Sequence, residues 1–228
     1  LISEINWNTF FNTLGIKNMK ELSVSQKEAI QEVGRITAKE TIQDIIYYLQ
    51  WKLIDGSASY LSDEIVAQNF DFYGKTLSGK KEQSPRWKRA VSNVDQVLGE
   101  AVGQMYVKKY FPAEAKERML KLVHNLQQSL GERINALPWM GDSTKLKAIE
   151  KLNTFHVKIG YPDKWRDYTG LTVNPKDSYY ANIRRAAEFE TLYSLKDEGK
   201  PVDKTKWYMS PQTVNAYYNP SSNEICFP

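Results

Sequence analysis

The sequence predicts a mainly α fold that passes late in the chain into α+β structure and ends in a β-hairpin. Three observations carry that reading. Apolar residues recur at helical spacing in successive segments over the first two thirds of the chain. From "IGYPDKW" onward Tyr, Trp, Asn, Pro and Gly become frequent, which sets a domain boundary near Gly160 to Pro162. The closing "VNAYYNPSSNEICFP" alternates with a period of two around an Asn-Pro-Ser-Ser-Asn turn.

Taken in order, Ser23 or Ser25 can cap a helix, with Gln26 or Glu28 placed to complete a capping box. In "TIQDIIYYLQWKLID", Ile42, Ile45, Ile46, Leu49, Leu53 and Ile54 share a face, and Gly56 ends the helix. Ser62 starts another helix carrying Ile65, Val66 and Phe70. Pro85 stands where a first helical turn tolerates proline, and Gly99 and Gly103 on that helix allow close approach of another backbone. Pro112 opens a helix with the apolar stripe Met119, Leu122, Val123, Leu126, Leu130 and Ile134. "DSTKLKAIEKLNTFHVKIG" reads as a helix whose buried face is Leu146, Ile149, Leu152, Phe155 and Ile159. "YYANIRRAAEFETLYSL" is the last helix before the β segment.

Composition bounds function loosely. The chain has 228 residues, a formal charge of +4 and 41% hydrophobic residues, which is ordinary globular composition. The basic stretch Lys75, Lys80, Lys81, Arg86, Lys88 and Arg89, with Trp87, reads as a solvated loop and helix start rather than a nucleic-acid surface. One cysteine, Cys226, excludes an internal disulfide and a multi-cysteine zinc site. No apolar run reaches the length of a membrane span. The opening "LISEINW" has no initiator Met, so both ends read as cut.

Residue chemistry alone gives no complete active site. His124 and His156 are the only histidines, each on a predicted helix, and neither belongs to an H-E-x-x-H pair. Cys226, between Ile225 and Phe227, reads as a small, partly buried residue rather than a nucleophile. The remaining feature is "VNAYY", where alternation puts Asn215 and Tyr217 on one face and Val214, Ala216 and Tyr218 on the other. An edge strand of this kind can hold an extended peptide, and an Asn amide both donates to and accepts from a peptide backbone.

Several motifs in order resemble the neprilysin and endothelin-converting-enzyme family of zinc metalloendopeptidases. They are "RWKRAVSNVDQVLGEAVGQMYVKKYF", "LPWMGDSTKLKAIEKLNTFHVKIGYPD" and "VNAYYNPSSNEICFP", with "WKLID" as a weaker early match. Together they cover roughly Thr41 to Pro228. The single cysteine favours a bacterial, PepO-like member. The resemblance implies that residues 1–160 are part of a helical cover domain over an active site. Residues 161–228 would then begin a thermolysin-like catalytic domain with a substrate-binding edge strand at about 213–218. It further implies that the Asn215 side chain and the Ala216 main chain hold the substrate backbone, and that Tyr217 helps line the pocket.

The family's H-E-x-x-H zinc helix, its Glu ligand and its transition-state His are not in this sequence. No catalytic residue and no metal ligand is therefore assigned here. The resemblance implies zinc in the parent enzyme and none bound to this fragment, which is expected to be inactive alone. The expected partners are oligopeptide substrates and the remainder of the catalytic domain, with no nucleic acid and no membrane segment. The expected location is periplasmic or extracellular, with a cytoplasmic form as the alternative. A non-catalytic helical peptide- or protein-interaction module is the competing reading.

Overall fold

In a computed structural model, residues 5–17 and 21–228 are described, and Leu1–Glu4 of the opening stretch lies outside them. The chain forms two compact units, Leu1–Gln83 with Val173–Lys196, and Ser84–Thr172 with Asp197–Pro228.

The first unit is helical. It contains α1 (Trp7–Thr13), α2 (Lys27–Lys39), α3 (Ile42–Ser57), α4 (Asp63–Asn69) and α8 (Tyr179–Leu195). Thr41 caps α3 by accepting the Asp44 N–H at 3.2 Å, and Ser178 caps α8 by accepting the Ala181 N–H at 3.1 Å. Gly56 lies inside the last turn of α3 rather than beyond it. The apolar face of α3 is largely open, Ile42, Leu49, Leu53 and Ile54 among its residues. Tyr60, in the turn after α3, meets Tyr179 of α8 edge-on at 5.5 Å.

The second unit joins three helices to a small sheet: α5 (Arg86–Tyr110), α6 (Ala113–Ala136), α7 (Asp142–Asn153), β1 (His156–Ile159), β2 (Tyr217–Asn219) and β3 (Glu224–Phe227). Strand order is β1-β3-β2, with β1 parallel and β2 antiparallel to β3. Asn223 takes the left-handed backbone (φ 50°) that closes the expected hairpin. The mainly α fold with a short β portion therefore stands as read.

One element differs. The helix expected to run through Ile159 stops at Asn153, and His156, Val157, Lys158 and Ile159 form a strand. His156 consequently sits on β1, not on a helix. The β-branched Val157 and Ile159 suit a pleated surface. Their partners, Ile225 and Phe227, lie far along the chain, so local periodicity could not reveal the pairing. The same pairing makes the final strand β3 central in its sheet, where the sequence offered only a two-stranded hairpin.

Two glycines set close approaches in this unit. Gly160 has φ +75°, and a Cβ there would stand 2.6 Å from Phe111 Cε1. The turn it makes is held by Lys116, whose Nζ donates to the Tyr161 carbonyl and to Asp163 Oδ1, both at 2.7 Å. Gly103 of α5 faces a loop: a Cβ there would meet Pro211 Cδ at 2.6 Å. The close partner expected for the Gly99–Gly103 face is thus the Ser210–Gln212 segment. The apolar stripe of α6 faces a groove of about 610 Å³ shared with α7 and β3, lined by Leu122, Leu126, Leu152, Phe155 and Phe227 among others.

Candidate functional site

The expected substrate-binding segment lies between two anchored points. Upstream, Ser210, Pro211 and Gln212 lie against α5. Gln212 Nε2 donates to the Gly99 carbonyl at 3.0 Å and to Asp95 Oδ1. The α5 backbone leaves helical geometry at Leu98 (φ −122°, ψ 30°), one residue before that carbonyl. Thr213 N–H donates to the Ser210 carbonyl at 2.9 Å, and the two hydroxyls stand 3.2 Å apart.

Downstream, Tyr217 enters β2 and its hydroxyl donates to Glu224 Oε1 at 2.9 Å. Glu224 is 1% exposed and Lys158 3%. Lys158 Nζ donates to both Glu224 oxygens at 2.9 Å and to the Lys206 carbonyl at 2.6 Å. The strand register explains the cluster, since Lys158 and Tyr217 both pair with Cys226 and so point to the same sheet face. The Tyr208 ring closes it, 6.3 Å from the Tyr217 ring and 5.7 Å from Lys158 Nζ.

The electrostatics follow from burial and pairing. Burial alone would raise the Glu224 carboxyl, but hydrogen bonds from Lys158 and Tyr217 outweigh it and hold the group below its ordinary range. Burial, and then the Glu224 carboxylate, push the Tyr217 phenol far above its ordinary value. Burial pushes the Cys226 thiol up to about 11. Cys226 is fully buried, so it is a protonated packing residue and no nucleophile. We expect a soluble disulfide reagent at pH 8 to leave Cys226 unmodified in the folded chain and to modify it once denaturant is added. Prompt labelling without denaturant would contradict this.

Between the anchors, Val214, Asn215 and Ala216 are exposed and precede β2 rather than belonging to it. Asn215 N–H donates to the Thr213 carbonyl at 3.0 Å, and Asn215 Oδ1 accepts the Ala216 N–H at 2.8 Å. Tyr217 is half-buried with its hydroxyl committed to Glu224. Tyr218 goes to the opposite face, stacked on Phe155 at 5.8 Å. Asn215 and Ala216 thus lead directly into Tyr217 of β2, an outer strand of the sheet among the described residues. The only local hint of the Lys158–Glu224 pair was a lysine between the apolar Val157 and Ile159 and a glutamate opening the apolar run Ile225–Phe227. Gln212 carried no signal at all.

Among the described residues, no group of three or more His, Cys, Asp or Glu could hold a metal ion. Among them, too, no helix is long and apolar enough to cross a membrane.

The sequence profile described as Peptidase family M13 matches residues 1–162. This chain belongs to peptidase family M13. Its M13 relatives include the neutral endopeptidase of Lactobacillus helveticus, 32% identical over 96% of this chain and 34% of the relative. Mouse endothelin-converting enzyme 1 is 30% identical over all of this chain and 31% of its own length. Among solved structures, the Mycobacterium tuberculosis zinc metalloprotease ZMP1 in its open state superposes with a TM-score of 0.87. It is 40% identical over 99% of this chain and 35% of that one. PepO of a Lactobacillus species matches with a TM-score of 0.71 at 31% identity, over 77% of this chain and 28% of that one. This M13 chain spans about a third of the length of the relatives it matches. The resemblance of the sequence motifs to the neprilysin and endothelin-converting-enzyme family is thereby established, and a bacterial PepO-like member fits these neighbours.

Proposed function

We propose that this chain is the substrate-holding part of a zinc metalloendopeptidase that hydrolyses oligopeptides. The observation that carries the reading is the exposed Val214–Ala216 segment running into β2 at the open edge of the sheet. An edge offers main-chain donors and acceptors to an extended peptide, and side chains set the register. Asn215 and Ala216 hold the substrate backbone, and Tyr217 lines the non-prime side. Residues 1–160 serve as part of the helical cover and 161–228 begin the catalytic domain, with the substrate edge at about 213–218. This division is one of roles: the second compact unit contains both α5–α7 and the sheet.

The catalytic zinc belongs to the remainder of the catalytic domain, which is this chain's first partner. Similarity to zinc metalloproteases along the whole chain, over only a third of their length, supports that assignment. The protein acts on peptides in the periplasm or outside the cell, in keeping with its similarity to endothelin-converting enzymes.

Two measurements test the reading. The purified 228-residue chain is expected to bind no stoichiometric zinc and to cleave no peptide; one zinc per chain with chelator-sensitive cleavage would overturn it. In the longer polypeptide of which this chain is proposed to be a part, Asn215→Ala should lower kcat/KM by about 1–3 kcal/mol of lost transition-state binding. Unchanged kinetics in a folded variant would remove Asn215 from substrate binding.

A further inference from the structure

We propose that Gln212 and Tyr217 are positioning residues, which hold the segment between them ordered and open so that it receives a peptide main chain. The inference rests on the peptide-binding reading above and names what prepares that site. A chain segment outside the strand ladder loses conformational entropy when it is held in one arrangement. Here, beside the Asn215 N–H bond to the Thr213 carbonyl, both ends are fixed by bonds to α5 and β3.

On the upstream side, Gln212 Nε2 is held by the Asp95 carboxylate and the Gly99 carbonyl of α5. The absence of side chains at Gly99 and Gly103 brings the loop down onto the helix: Cβ atoms there would meet Ser210 Oγ at 3.1 Å and Pro211 Cδ at 2.6 Å. On the downstream side, the Tyr217 phenol is held by a carboxylate that is itself fixed by Lys158. Lys158 is in turn fixed by the Lys206 carbonyl. Tyr217 also pairs with Cys226 in the central strand. Only Val214, Asn215 and Ala216 remain exposed between these anchors. The Ala216 N–H is covered solely by its neighbour's Oδ1, a local bond that an incoming peptide carbonyl can replace. A peptide meeting such an edge does not have to order it, which lowers the cost of association.

The first test uses the 228-residue chain. Backbone NMR relaxation at Val214, Asn215 and Ala216 is measured in wild type, Gln212→Ala and Tyr217→Phe. Each variant should lower the order parameters of these three amides, with β1 and β3 unchanged. Wild-type order in both variants overturns the proposal whatever the enzyme does.

The second test uses the longer polypeptide, a peptide substrate, and the same peptide N-methylated at the position where methylation costs wild type most. Gln212→Ala should raise KM for the plain peptide on the order of tenfold, with kcat near wild type. The methylated peptide, already without its edge bond, should show little further loss. Equal losses on both peptides would mean a merely structural role and overturn positioning. If wild type cleaves neither peptide, the peptidase reading fails, while the relaxation data still decide the anchors.

Discussion

Lys158→Met is expected to destabilise the fold by about 3–5 kcal/mol, the cost of leaving a buried carboxylate without its counter-charge. Lys158 and Glu224 lie almost wholly out of water, and Nζ meets both carboxylate oxygens. Removing the ammonium also frees the Lys206 carbonyl, leaving a second polar group to be satisfied. Replacing both charges, as Lys158→Met with Glu224→Leu, should recover part of the loss, because no buried charge is then unpaired while the Lys206 carbonyl and Tyr217 hydroxyl still lose their partners. Chemical denaturation of the single and double variants measures this. A single variant within about 1 kcal/mol of wild type would mean that the pair carries little.

The same pair fixes a pH dependence. Bonds from Lys158 and Tyr217 outweigh burial and hold the folded Glu224 carboxyl below its ordinary value of 4.5. A depressed folded value contributes stability that is complete above the unfolded value and is lost as pH falls through the folded one. Stability should therefore decline on acidification below about pH 4.5. Glu224→Gln should make that decline shallower while lowering stability at neutral pH.

Gly160→Ala is expected to have the second large effect. A residue with a Cβ at φ +75° costs about 1–3 kcal/mol in backbone strain. That Cβ would also stand 2.6 Å from Phe111 Cε1 and 3.1 Å from Cζ, so the ring must move. Overpacking of this kind costs about 1–3 kcal/mol more. Phe111 meets Tyr161 edge-on at 5.9 Å, and Tyr161 stacks on Trp165 at 6.1 Å, so the displacement is passed along the turn. Gly56→Ala is the control: it lies in a helix with nothing within 4 Å of the added Cβ. It should stabilise the chain by up to about 1 kcal/mol. A Gly160 variant as stable as the Gly56 variant would refute the packing argument.

These residues show what could be read in advance. The helices were legible wherever an apolar face recurred every three or four residues, as in α3 and α6, because that period is local. Caps were less legible: Ser23 or Ser25 was expected to cap a helix, whereas α2 begins after Gln26 with no side-chain cap bond. The Gly99–Gly103 pair announced a close approach, but whether a helix or the Ser210–Gln212 loop would fill it depended on contacts more than a hundred residues apart. Helical periodicity carried α7 too far, since Phe155 and Ile159 fit its stripe although residues 156–159 gain more by pairing with β3.

For the candidate site the division is sharper. By itself, the sequence determined the mainly α class, the closing hairpin and the placing of Asn215, Ala216 and Tyr217 next to one another, because each depends on neighbours in the chain. Only the tertiary structure decided that β3 is a central strand, that Lys158 and Glu224 are a buried pair, and that Gln212 ties the segment to α5. Those outcomes rest on strand register and on which charges lose their water together. Both are set by residues distant in sequence, and no local pattern records them.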